Sequence, residues 1–422
     1  MISLRGPPYF KCKARADALV KLAVHNGSSL PHWNEKHMLA NTPVRERAPV
    51  DDGSFDREYQ ERILPHVSRT FAMTIPQLPP DLRAATTNAY LLCRIADTIE
   101  DEPAFPPEET LHLLKRLNEV IAGRAEPGPL GAELGNRLSD CSTGYERDLV
   151  RHLDCVIGAT RQLDRHQQAA IERCVDVMSY GMHHFQCSAS LRGLGTLEDL
   201  DSYCYYVAGV VGEMLTELFC ASSPEIERNG VTLRRLAPSF GQGLQMTNIL
   251  KDIWEDRRRG ACWLPREVFA RHGIIDLEHL PALRDDPGFA AGVRELVGIA
   301  HAHLRNALTF TLLIPAKEVG IRRFCLWAIG LALLTLRGIN QRPAFTEGGE
   351  VKVSRTQVMS VVSVTNLVLH DDRLLVRLFE RAARGLPLAA PSSVHAAPTP
   401  HALSSLEWAP RFGAAPHAGE SL

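Results

Sequence analysis

The chain has 422 residues, 45% of them apolar and 23% charged, which suits a globular protein with a sizeable core. Its 47 basic and 49 acidic residues leave a formal charge of −2, which gives no electrostatic case for nucleic acid. Ten cysteines at irregular spacings form no CxxC pair, which argues against a zinc knuckle or redox motif and for reduced thiols in a reducing compartment.

Residues 1–52 are rich in Pro, Asn, His and basic residues and read as an irregular N-terminal extension. They lack the apolar run of a secretory signal, and the basic stretch 1–30 matches a transit peptide only weakly. From 53 to 385 apolar residues recur every three or four positions and strand-like alternation is scarce, so one all-α domain is predicted. Breaks are expected at PQLPPD (76–81), EPAFPPEE (102–109), AEPGPLG (125–131) and SSPE (222–225). In PPEET (106–110) prolines and then acids stand at a helix start, the end of the dipole that favours negative charge. The apolar run 324–336, bounded by Arg322, Arg323 and Arg337, is shorter than the about 20 residues of a spanning helix and reads as a buried core helix. Residues 386–422, rich in Ala, Pro, Ser and His, read as a low-complexity tail. No transmembrane segment is expected, and the expected location is cytoplasmic, with peripheral membrane contact.

Two segments carry D-x-x-E-D within helical stretches. In RIADTIED (94–101), Asp97, Glu100 and Asp101 fall on one helix face, which Arg94 and Tyr90 extend. In LKDIWED (250–256), Asp252, Glu255 and Asp256 repeat the layout, with Gln245 and Asn248 on the same face. Either motif alone describes a solvated acidic face. As a pair, each inside an apolar helix and close to basic residues, they suit magnesium, which takes oxygen ligands and bridges carboxylates to phosphates. Ser68, Arg69 and Thr70 precede an apolar stretch and offer phosphate contacts. In YCYYVAGVVGEM (203–214), Tyr203, Tyr206, Gly209 and Gly212 suit either close helix packing or an aromatic-lined channel for a carbocation. Adjacent His183 and His184 point to different faces and read as packing or surface residues. No GxGxxG, P-loop or GxSxG motif occurs.

The stretches SRTFAMTI, YLLCRIADTIED, YCYYVAGVVGEM and QMTNILKDIWEDRRRG, in that order, resemble the squalene and phytoene synthases. The resemblance implies a single-domain, class I isoprenoid synthase fold with a central cavity, acting as a prenyltransferase of isoprenoid biosynthesis on two farnesyl diphosphates. It implies that Asp97, Glu100, Asp101, Asp252, Glu255 and Asp256 hold Mg2+, and that Arg69 and Arg94 bind phosphates. Ser68, Thr70, Gln245 and Asn248 would line the substrate site, and Tyr203 would help proton removal. The region 322–340 and EVKVSR (350–355) look closer to squalene than to phytoene synthases, and Lys352 and Arg355 would bind NADPH. Ser354 stands where that branch often has a second basic residue. Ala261, Cys262 and the run Trp263, Leu264, Pro265 also depart from it, the last towards the phytoene type. The resemblance therefore leaves open a phytoene-type, presqualene diphosphate or hydroxysqualene product, and a non-catalytic binding homologue.

Overall fold

Proline and capping side chains set where the helices begin. Residues 54–389 are described by a computed structural model, and all lie in one compact unit. The extension expected over 1–52, and the tail beyond its first four residues, lie outside the described residues. After α1 (Ser54–Val67), prolines open α2 (Pro80–Glu100), α3 (Pro107–Ile121) and α4 (Pro127–Arg137), where the missing N–H costs nothing. Reciprocal capping boxes open α5 (Gly144–Arg151) through Thr143 and Glu146, and α7 (Arg165–Ser188) through Asp164 and Gln167; α6 (Leu153–Arg161) lies between. Thr196 and Asp199 do the same for α8 (Leu197–Cys204).

A five-residue π-turn, Tyr205–Gly209, joins α8 to α9 (Val210–Ser222). Then come α10 (Gly230–Arg258), α11 (Pro287–Leu313), α12 (Val319–Gln341), α13 (Arg355–Val368) and α14 (Asp372–Ala382). No strand occurs among the described residues; one isolated bridge pairs Leu194 with Pro265.

The break expected over 125–131 is shorter than that. Helix α4 already runs from Pro127, and Gly131 lies inside it, where an added Cβ would stand 3.0 Å from the Val150 carbonyl. There the glycine serves packing rather than chain reversal.

The run 324–336 lies within the 23 residues of α12, which by length and composition are enough to cross a membrane, as is the stretch Leu197–Ser222. Two-thirds of the α12 window is buried in the protein, the condition of a core helix. Arg322 at its start is 1% exposed and donates to the carbonyls of Ile314 and Leu369 and to the Asp372 carboxylate, tying α14 to the core. The first residues expected to be tail are docked: the Ala389 N–H donates to the Gly298 carbonyl, and His301 Nδ1 lies 2.8 Å from the Pro387 carbonyl.

Helix α10 crosses α9 and the π-turn at backbone contact. A Cβ on Gly212 would stand 2.2 Å from the Ala237 carbonyl, and one on Gly241 would stand 1.9 Å from that of Ala208. At Gly212 the close-packing reading of the sequence therefore holds. Gly212→Val should push the helices apart and lower stability by about 2 kcal/mol or more, read as a lower urea midpoint at unchanged slope. An unchanged midpoint would contradict the crossing.

Candidate active site

The first motif stands at the C-terminal end of α2. Glu100 is its last helical residue and Asp101 caps it, with no basic residue in the final turn. Helix carbonyls already make this end negative, so three added carboxylates leave a strongly anionic patch. Burial pushes the Asp97 carboxyl up to about 6, with Arg94 opposing and Asp101 reinforcing. Burial, then Asp101 and Asp97, hold Glu100 well above the carboxylate range. Arg94 is 3.6 Å from Asp97 and hydrogen-bonds Glu146. It is thus anchored as a counter-ion, although its Nε has no hydrogen-bond partner.

The second motif lies in the last two turns of α10. Lys251 bridges Asn248 (3.2 Å) and Asp252 (3.0 Å). Burial, then Asp252, raise Asp256 to about 7, with Arg259 opposing and Asp101 adding to the rise. Arg259 is 3.3 Å from Asp101, so the ends of the two motif helices meet across one ion pair. Glu255 Oε2 is buried without a hydrogen-bond partner.

A distant segment backs this motif. Trp254 Nε1 donates to the Phe345 carbonyl at 2.6 Å. A Cβ on Gly348 would stand 2.9 Å from the Lys251 carbonyl and 3.3 Å from Asp252 Oδ1.

Tyr203 is buried between the arrays. Burial raises its hydroxyl well above the usual phenol value, and Glu100, Asp256 and Asp101 add to that. Its ring stacks on Trp263 at 4.1 Å and meets Phe185 edge-on at 5.2 Å. Tyr206 turns instead to Tyr180, 5.6 Å away. Next to Asp256, Ile249, Ile253, Cys262, Trp263 and Leu264 close around a space of about 10 Å³.

The Ser68 hydroxyl accepts from the Phe71 N–H at 3.0 Å, and the Tyr90 hydroxyl donates to the Val67 carbonyl at 2.8 Å. This joins the segment 67–71 to the helix of the first motif. Arg69 and Thr70 are exposed, and among the described residues no carboxylate lies within ion-pair distance of Arg69. Arg69 and Asp252 both act on Lys352, whose charge is disfavoured by burial first and then by Arg69 and Lys251. Gln245 is half-buried on α10 and Asn248 is exposed. Arg355 is exposed at the start of α13. Reading the sequence passed over Trp263 as a site residue, the pairing of Arg259 with Asp101, and Gly348.

Residues 64–357 match the family described as squalene/phytoene synthase. A squalene synthase of Nicotiana benthamiana is 31% identical over 277 residues, covering 65% of this chain and 62% of that protein. A squalene synthase of Gibberella zeae is 32% identical over 323 residues, covering 75% and 64%. The chain thus spans somewhat under two thirds of the length of these curated relatives. The solved complex of TcSQS with ligand E5700 superposes with a TM-score of 0.60 at 25% identity, covering 78% of this chain and 91% of that one. A dehydrosqualene synthase–ligand complex shares the fold at a TM-score of 0.54 and 21% identity, covering 75% and 97%. Every candidate residue from Ser68 to Arg355 falls inside the matched region, and the chain, with its all-α isoprenoid synthase fold, belongs to the squalene/phytoene synthase family.

Proposed function

We propose that the chain is a magnesium-dependent prenyltransferase that joins two farnesyl diphosphates head to head into presqualene diphosphate and reduces this to squalene with NADPH. The observation that carries the reading is the meeting of two acidic helix ends across the Arg259–Asp101 pair, with buried Tyr203 between them.

A divalent cation fits the donor set. All donors are oxygens, one of them, Glu255 Oε2, is buried without a partner, and Asp97, Glu100 and Asp256 resist ionisation. Among the described residues no three acidic, His or Cys groups stand together in a way that would hold a metal ion by themselves. Magnesium usually asks for only one or two carboxylates, with waters and substrate phosphates completing its shell. Asp97, Glu100 and Asp101 on one side, and Asp252, Glu255 and Asp256 on the other, would hold it. When bound, it supplies the positive charge that lets a diphosphate depart.

Arg69, with Ser68 and Thr70 beside it, grips diphosphate oxygens. Arg94 stays with Asp97 and Glu146 and tempers the first array. Gln245 and Asn248 orient phosphate oxygens or water. The double bond of the second farnesyl diphosphate attacks the allylic cation, and the new carbon–carbon bond is followed by proton loss to the departed diphosphate. Tyr203 keeps its own proton and presents its hydroxyl and ring to the cation. Trp263 and Phe185 shield that ring from water. A second ionisation and rearrangement would follow, and a nicotinamide dinucleotide, when bound, would be the source of the closing hydride.

Incubating the purified chain with farnesyl diphosphate and Mg2+, with and without NADPH, should give presqualene diphosphate without reductant and squalene with it. No condensation product under either condition would overturn the reading.

Asp97→Asn and Asp252→Asn should each lower kcat by about 10²–10³-fold while the unfolding temperature is kept or raised, because each removes one crowded charge. Unchanged turnover in either would remove that motif from the chemistry.

The raised carboxyls also set a metal-linked pH dependence. Asp97 near 6 and Asp256 near 7 exceed the ordinary 3.8, so across this window the folded chain binds more protons than the unfolded one. Their contribution is therefore fullest at low pH and is lost as pH rises through these values. Mg2+ binds the ionised form, so it should raise the unfolding temperature more at about pH 7.5 than at about pH 5. Equal stabilisation at both pH values would contradict this.

A further inference from the structure

Beyond Lys352 a cavity of about 310 Å³ opens between α12 and residues 350–357. Leu334, Arg337, Gly338 and Gln341 line it at helical spacing from the last two turns of α12, and Arg342 joins them from just past the end of that helix. Gly338 lets the opposite wall come close, since an added Cβ would stand 3.0 Å from the Val351 carbonyl. Arg337, Arg342 and Lys352 thus share one concavity. Its acid, Glu350, accepts through Oε1 from the Thr346 N–H and hydroxyl and from the Glu347 N–H, and Arg342 acts on it only after these contacts, so it offsets part of one of the three charges. Among the described residues no carboxylate lies within ion-pair distance of the three cations, and the nearby Arg69 and Lys251 add to the positive field at Lys352. Such a pocket calls for a multiply charged anion.

The basic residue expected at position 354 is missing, and Ser354 is spent on a capping box with Gln357. Arg355 is not among the lining residues. We propose that Arg337 on α12 and Arg342 just beyond its end replace it, and that with Lys352 they hold the phosphate groups of the nicotinamide dinucleotide reductant. This rests on the reductive reading above. Lys352, which also feels Asp252, links the cavity to the second motif and so leads the ligand towards the reacting carbons.

The test is direct binding to the full chain without prenyl diphosphate, by calorimetric titration of NADPH, NADH and inorganic diphosphate. Arg337→Gln/Arg342→Gln should weaken NADPH by about tenfold or more, as expected for lost charged hydrogen bonds. A greater loss for NADPH than for NADH assigns the pair to the 2′-phosphate, and an equal loss assigns it to the bridging diphosphate; either upholds the proposal. Affinity within about twofold of the parent, in a variant with an unchanged unfolding temperature, overturns it. So does inorganic diphosphate binding as tightly as NADPH and with the same sensitivity, which would mark a non-specific anion site. The two single variants give the same reading if the double variant fails to fold. A parent chain that condenses farnesyl diphosphate but does not bind NADPH removes the reductive reading itself. A parent and a double variant that bind NADPH equally remove only the arginine assignment.

Discussion

Like charges held together at two helix ends are the constraint on which the rest of the molecule depends. Helix α2 ends in Glu100 and Asp101 without a basic residue in its last turn, so its acids add to the negative end of the dipole. The last two turns of α10 bring a second set of acids against it. Left alone, the two ends would repel. Arg259 bridges them, while Arg94 and Lys251 each temper one array. The remaining force that keeps the acids in place is apolar. Ile95 and Ile99 on α2, and Ile253 and Trp254 on α10, are buried in the core. Burying them holds each acid at its station, and the same low-polarity surroundings raise the pKa values of Asp97 and Asp256.

Holding the arrays so closely needs a frame that does not yield, and backbone contact supplies it. At the crossing of α9 and α10 carbonyls lie where side chains would otherwise be, so the separation there is set by main chain rather than by adaptable side chains. The π-turn at Tyr205–Gly209 inserts its wider winding at this crossing. Tyr203 then faces the carboxylates while Tyr206 turns to the core aromatics. Both rings also meet Phe185, so the two tyrosines differ in what lies beyond that shared ring.

That difference marks what the sequence made legible. Residues close together in the chain read well: the carboxylates of each motif do share a helix end, and the proline and acid of PPEET do start a helix. The all-α fold followed from periodicity alone. What could not be read depends on pairing segments far apart in the chain. The Arg259–Asp101 bridge spans 158 positions, and Gly348 reaches Lys251 and Asp252 from a loop whose local sequence signals only a turn. The three consecutive arginines at 257–259 were visible near the second motif, yet nothing local distinguishes the one that crosses to Asp101. Trp263 was noticed only as a departure from relatives, because a stacking partner cannot be seen without the ring it stacks on. Glycines were ambiguous for the same reason: at Gly131 and Gly212 only the neighbouring backbone shows that space, not flexibility, is what the residue provides.

Burial also decides which proton acceptor the chemistry has. A general base works best when its pKa lies near the working pH. Desolvation and then nearby carboxylates raise the Tyr203 hydroxyl further above its usual value, which favours the neutral phenol. The neutral phenol is a poor acceptor but a good donor, and its ring face is electron-rich. The negative surroundings that keep its proton on would at the same time stabilise a cation beside it. Under the proposed reaction Tyr203 therefore holds the carbocation. Under the proposed reaction the departed diphosphate, newly released and anionic, is the acceptor the site leaves in reach. The two acidic helix ends would serve by holding a divalent cation, whose positive charge would favour departure of the diphosphate and would keep it near the site where the proton is lost.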